Sequence, residues 1–248
     1  MLLGPVRGVL FSSGLEWREQ RNFILKSLGD FGLGKSEIEG KIWVEALKLR
    51  DMFVDMNGEA TDLNLMMNIA VVNTLWSITV SDTIDLKDEK VKRIIQKIDK
   101  AIKLASHMHP LSMLFPFLTK AFPKFFGVEH MDIAVSSLKN MIDKHVEDHM
   151  ESFNEENIED FLDMYILLRK KSWASTSSTF FGNIGNQNQQ IVLLDLFLAG
   201  VETTTTSLLW AILFLLHHPE VQEKIYEEVI DVNLERDGIR ILSKEVSS

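Results

Sequence analysis

Residues 199–229 read AGVETTTTSLLWAILFLLHHPEVQEKIYEEV, and the reading of this stretch decides the fold. Its first half is an apolar helical run holding one glycine and four consecutive threonines, all poor helix formers, with an acid among them. Threonine hydroxyls in a helix bond back to the carbonyl four residues earlier, which loosens the backbone ladder. Gly200 removes a side chain, so a flat ligand can approach the backbone. Glu202 and Thr203 set a carboxylic acid and a hydroxyl side by side, the parts of a proton relay. The competing reading of the same residues is a plain core helix. Pro219 then starts a further helix at its first turn, where the missing N–H costs nothing.

Outward from this stretch the pattern is helical throughout. Residues 16–30 form a short amphipathic helix, with Phe23, Ile24, Leu25 and Leu28 on its apolar side. Residues 35–56 form a second, followed by the turn signal Asn57-Gly58. A third, capped by Thr61 or Asp62, runs to about Val80 and is apolar nearly all round, the mark of a buried helix. Helices are expected at 87–107, 128–152 and 157–171, and a long one at 190–217. Residues 172–189, rich in Ser, Gly and Asn, are expected to be a mobile surface loop. Residues 108–127 carry three prolines and the phenylalanines 115, 117, 122, 125 and 126, which argues against one regular helix. No segment alternates as a strand would. The expected class is all-α, in a single partial domain over 1–248.

Composition narrows the function. The chain has 248 residues, a net charge of −10 and 46% hydrophobic residues, enough for a packed core and the wrong sign for nucleic acid. It contains no cysteine, which removes disulfides, thiolate nucleophiles, zinc–cysteine sites and haem–thiolate ligation within these residues. The N-terminus reads as neither a signal peptide nor an anchor. The apolar runs at 191–201 and 207–216 are interrupted by Asp195, Glu202 and the threonines, and are not expected to span a membrane. His145 and His149 stand one helical turn apart, but in neither the HExxH nor the HxxEH pattern. They are read as part of a solvated face, and no metal site is expected.

The run Ala199-Gly200-x-Glu202-Thr203-Thr204, continued by His218-Pro219-Glu220-Val221-Gln222-Glu223-Lys224, resembles the oxygen-activating helix of the cytochrome P-450 monooxygenases and the start of their next helix. Upstream, Phe11-Ser12-Ser13-Gly14 and Trp17-x-x-x-Arg21 resemble the helix that holds the haem propionates. Phe31-Gly32-x-Gly34-Lys35 is similar to the segment that follows it in the animal microsomal members. The resemblance runs in order from about Val9 to Val229. It implies the central part of that fold, with residues 1–14 as the loop before the propionate helix and 190–217 as the oxygen-binding helix.

The roles that follow are those the resemblance implies. Thr203 and Glu202 would deliver protons to dioxygen. Ala199 and Gly200 would lie over the haem face, and Trp17 and Arg21 would hold its carboxylates. Leu10, Phe11, Leu104, Leu198 and Ala199 would line an apolar substrate pocket. The implied cofactor is haem, and the implied partners are a lipophilic substrate and an NADPH-dependent reductase. The implied location is the surface of the endoplasmic reticulum membrane, met without an anchor in this chain. Phe115, Phe117, Phe122, Phe125 and Phe126, with Lys120 and Lys124, fit an interfacial patch.

Departures from the family bound the claim. The cysteine ligand is absent, and no arginine follows a glutamate by three positions as the family's Glu-x-x-Arg pair requires. The tail 232–248 diverges. The chain by itself is therefore expected to be inactive. Two other readings stand beside the enzyme: a truncated non-catalytic family product, and a helical membrane-surface binding module built around 108–127.

Overall fold

The computed structural model describes residues 7–82, 89–114, 117, 121–126, 128–172 and 178–235. Among them are eight α-helices and no strand: α1 Gly14–Asp30, α2 Ser36–Asp55, α3 Leu63–Thr79, α4 Glu89–Leu114, α5 Val128–Ser152, α6 Phe161–Lys171, α7 Gly182–His217 and α8 Pro219–Glu235. The all-α class and the long helix agree with the sequence reading. By the density of its internal contacts the chain divides into two units, 1–205 and 206–248, with the boundary inside α7.

In the first unit, α4 packs on α5, and α3 packs on α2, α4 and α6. Helix α3 is the hub because it is apolar on all sides, with Val72, Trp76 and Ile69 almost wholly buried. Asp62 is its cap, accepting a hydrogen bond from the Asn64 N–H at 2.9 Å. The core continues through Leu138 and Ile142 of α5, Phe161, Leu162 and Tyr165 of α6, and Val192 and Phe197 of α7. Phe23, Tyr165 and Phe180 meet ring to ring at 5.0–5.3 Å. The buried Tyr165 hydroxyl donates to Gln20 Oε1 at 2.7 Å, and Gln20 Nε2 donates to Thr179 Oγ1 at 2.7 Å, so the polar atoms beside this aromatic cluster are paired.

Three expectations change. Residues 182–189 are not loop but the first two turns of α7. Their polar side chains are consumed internally: Asn188 and Gln189 are buried, Asn188 bonds to Gly8, Glu16 and Thr179, and Arg169 bonds to Gln189 and Asn186. Helix α4 runs seven residues past its expected end, through Pro110 to Leu114. Phe126 belongs to the core rather than to a surface patch, being 6% exposed, with Phe125 edge-on to it at 5.3 Å. Phe117, Phe122 and Phe125 are exposed, and Phe115 and Lys120 lie outside the described residues. Residues 1–6 of the N-terminal loop and 236–248 of the tail also lie outside them.

Among the described residues, α7 alone is long and apolar enough to cross a membrane by length and composition. In its middle, Val192, Leu193, Leu194, Phe197, Val201 and Thr205 are buried in the protein.

Candidate functional site

The site begins with a short loop tied down to α7. Gly8 N–H donates to Asn188 Oδ1 at 2.9 Å, and the Val9 and Leu10 amides donate to one oxygen of Asp195, Oδ2, at 2.6 and 3.1 Å. Arg7 closes the other end on both oxygens of Glu16 at 2.9 Å. Asp195 is 4% exposed, and burial pushes its carboxyl above the ordinary range while the two amides oppose that shift. Gly8 has φ +73°, and a Cβ there would stand 2.2 Å from Asp195 Oδ2, so only glycine fits. The consequence is a rigid loop that presents Leu10 and Phe11 outward, at 46% and 69% exposure. In the sequence this clamp has one visible signal, an acid in the middle of an apolar helical run.

Adjacent residues on a helix point about 100° apart, and this separates the candidates of α7. Ala199 and Thr203 share the exposed side, and Thr203 Oγ1 donates to the Ala199 carbonyl at 2.7 Å. Glu202, by contrast, is half-buried toward α3 and α4. It lines a hollow with room for about one water, together with Leu198, Asn68, Ile95 and Asp99. Asp99 is held by Lys103 at 2.8 Å and by Asn64 at 3.3 Å, and Asn68 reaches Asn64 at 3.3 Å. The Lys103 ammonium is raised above its ordinary value, chiefly by its hydrogen bond to Asp99 and further by the Glu202 charge. The acid and the hydroxyl are thus neighbours in sequence that face different surroundings.

Gly200 has a packing reason of its own: a Cβ there would sit 3.2 Å from Leu75 Cδ2 of α3. Thr205 is buried, and its hydroxyl has no hydrogen-bond partner among the described residues. Leu104 lies in α4, with its side chain outside those described.

On α1, Trp17 and Arg21 do come together. The guanidinium carbon lies 5.4 Å from the indole centroid, a cation–π stack. Trp17 is 38% exposed, Arg21 is exposed, and Arg21 makes no ion pair with a carboxylate among the described residues. A stacked, charged fork without a carboxylate suits an acidic planar ligand.

The two histidines of α5 are not on a solvated face. His149 Nε2 lies 2.9 Å from Asp160 Oδ2, and Asp160 is 1% exposed. His145 stands edge-on to Trp76 at 4.8 Å. The hydrogen bond to Asp160 raises the His149 imidazole above its ordinary value.

The family model described as Cytochrome P450 matches residues 3–242 of this chain. Among curated proteins, the chain is 35% identical over 228 residues to human "Cytochrome P450 2J2", covering 90% of this chain and 43% of that protein. It is 34% identical over 227 residues to "Cytochrome P450 2C25" of Mesocricetus auratus, covering 91% and 45%. It is 31% identical over 230 residues to "Cytochrome P450 2L1" of the lobster Panulirus argus, covering 90% and 45%. The chain spans less than half the length of these relatives.

Proposed function

The chain belongs to the cytochrome P450 family, and from that membership we propose that its residues form the oxygen-side half of a haem monooxygenase acting on a lipophilic substrate. The observation that carries the proposal is the open strip of α7. There a small residue, Ala199, and a hydroxyl, Thr203 Oγ1, stand exposed on one side of the helix, with the hydroxyl aligned by the Ala199 carbonyl at 2.7 Å. Haem, when bound, supplies the iron chemistry that cleaves dioxygen. The donor set here fits the cofactor's acidic edge and its oxygen side. Trp17 and Arg21 would hold a propionate, while Ala199 and Gly200 border the strip. The chain has no cysteine, so a thiolate ligand would have to come from residues other than these.

Within this chain the work is to orient, exclude water and move protons. Thr203 Oγ1 holds a proton at the open strip. Glu202 is the acid beside it, and a rotation of its side chain away from Asp99 and Lys103 would turn its carboxyl toward Thr203. The clamped loop fixes Leu10 and Phe11 as apolar walls, and Leu198, which packs against the core, would complete that lining with Leu104. Electrons from an NADPH-dependent reductase, and a site at the surface of the endoplasmic reticulum membrane, complete the proposal. The exposed Phe117, Phe122 and Phe125 with Lys124 support the membrane contact.

The test has two arms. The isolated chain, given haem, is expected to show no thiolate-type Soret band in the reduced carbon monoxide difference spectrum. Such a band would overturn the assignment of the ligand to other residues. Joined in register to the part of human cytochrome P450 2J2 that follows the matched region, the chain is expected to give that band. Thr203→Ala in the same chimera should keep the band but form less product and more peroxide per NADPH consumed. Equal coupling in both forms would refute the role of Thr203.

A further inference from the structure

We propose that His149, Asp160 and Asp163 form a binding site for a divalent transition-metal cation of the zinc class, using none of the residues assigned to haem or substrate. His145 Nδ1 lies 2.9 Å from the Met141 carbonyl and His149 Nδ1 lies 3.1 Å from the His145 carbonyl. A carbonyl only accepts, so each Nδ1 carries the ring proton, and Nε2 of the neutral ring is an open lone pair. This bond from the far nitrogen to a backbone carbonyl is the one that orients metal-ligating imidazoles. Each Nε2 points to a carboxylate oxygen: His149 to Asp160 Oδ2 at 2.9 Å, and His145 to Asp82 Oδ2 at 3.5 Å. At 2.9 Å a proton between Nε2 and Oδ2 joins this pair when no metal is bound, and a metal cation that displaces that proton gains both atoms as ligands.

The carboxylates are held in place by the fold. Asp160 caps α6, its Oδ1 accepting the Asp163 N–H at 2.8 Å, which leaves Oδ2 turned to His149. Asp163 stands one turn into α6, and its Oδ2 accepts the Glu159 N–H at 3.1 Å. One ligand atom from each of His149, Asp160 and Asp163 can be chosen so that all lie within 4.8 Å of one another. A tetrahedral zinc with nitrogen and oxygen ligands at about 2.0–2.2 Å spaces them about 3.3 Å apart, within reach of small side-chain rotations.

The site opens into a solvent-connected hollow of about 420 Å³, wide enough for an ion and its waters. Asp82, Asp148 and Glu159 line the same hollow, with no lysine or arginine among its lining residues. The excess of negative charge concentrates cations at the mouth. An imidazole with two carboxylates selects zinc, cobalt or nickel over magnesium, which prefers oxygen alone.

The test uses the 248-residue chain, stripped with a chelator and titrated with zinc chloride by calorimetry, with thermal unfolding followed in parallel. One saturable equivalent and a raised melting temperature are expected, with magnesium chloride giving neither. Cobalt chloride should give the visible bands of a low-coordinate site. Asp163→Asn keeps an acceptor for the Glu159 amide and should weaken zinc binding by about tenfold or more, and His149→Gln should abolish it. If His149→Gln does not fold, Asp163→Asn and the cobalt spectrum decide. Absence of saturable zinc binding, or equal binding by the native chain and Asp163→Asn, would overturn the proposal and leave His149 and Asp160 as an ion pair only.

Discussion

Asp195 does more with one oxygen than any other side chain near the site. It accepts two amides of the loop that carries Leu10 and Phe11, and it does so while buried. Asp195→Ala would leave both amides without their acceptor, and the expected loss is about 1–3 kcal/mol in urea unfolding. Asp195→Asn keeps an acceptor oxygen and should lose less. The pH dependence has a definite sign. The folded-state value of Asp195 lies above its ordinary 3.8, so the folded protein holds the proton more tightly and the ionised form costs stability. That cost is full above the raised value and vanishes below 3.8. The native chain should therefore gain on Asp195→Asn as the pH falls through this window, and paired urea curves at stepped pH would show it. Gly8→Ala tests the same junction from the other side. It combines a left-handed backbone with a Cβ 2.2 Å from Asp195 Oδ2, and should cost about 2 kcal/mol or more by the same measurement.

At the scale of the element, α7 is one helix with several environments along its length. Its first turns are polar yet buried, its middle is core, and beyond Thr205 its apolar residues Trp210, Phe214 and Leu216 are 53–72% exposed. The four threonines are correspondingly unequal: Thr203, Thr204 and Thr206 are exposed and Thr205 is buried. A buried hydroxyl without a partner is a liability that an isosteric methyl removes. Thr205→Val is expected to leave helix content unchanged and to be neutral or stabilising by about 1 kcal/mol in thermal unfolding. A loss of stability would mean that the hydroxyl has a partner. Gly200 shows the same economy, since the absence of a side chain lets Leu75 of α3 close on the helix.

Across the whole chain, exposed apolar side chains are concentrated rather than scattered. Leu10, Phe11, Leu15 and Trp17 gather near the start, and Trp210, Leu213, Phe214, Leu216, Ile225 and Tyr226 in the second unit. Concentrated exposed apolar side chains of this kind mark surfaces on which another body packs. The phenylalanines at 117, 122 and 125 are a separate group beside Lys124, a composition suited to an interface between water and lipid. Phe122→Asp with Phe125→Asp is expected to reduce co-sedimentation with anionic lipid vesicles severalfold, while far-UV circular dichroism stays unchanged. Phe126→Asp would instead unfold the segment, because that ring is in the core. Equal sedimentation of the native chain and the double variant would remove the membrane contact from the proposed function.

Periodicity and local chemistry alone carried the all-α class, the burial of α3, a cap for it at Thr61 or Asp62, and the start of α8 at Pro219. These depend on neighbours within a turn or two, which the sequence displays directly. The order of motifs from Trp17 to Lys224 carried the family and named the residues of the open strip. Tertiary structure decided the rest. Asn188 and Gln189 turned a polar stretch into helix because distant Gly8 and Arg169 donate to their amide oxygens. His149 left the solvated face because Asp160, eleven residues on, folds back against it. Glu202 and Thr203 parted because α3 and α4 close on one side of α7 only. In each case the deciding partner is remote in the chain, and the energy of a buried polar group depends on whether that partner arrives.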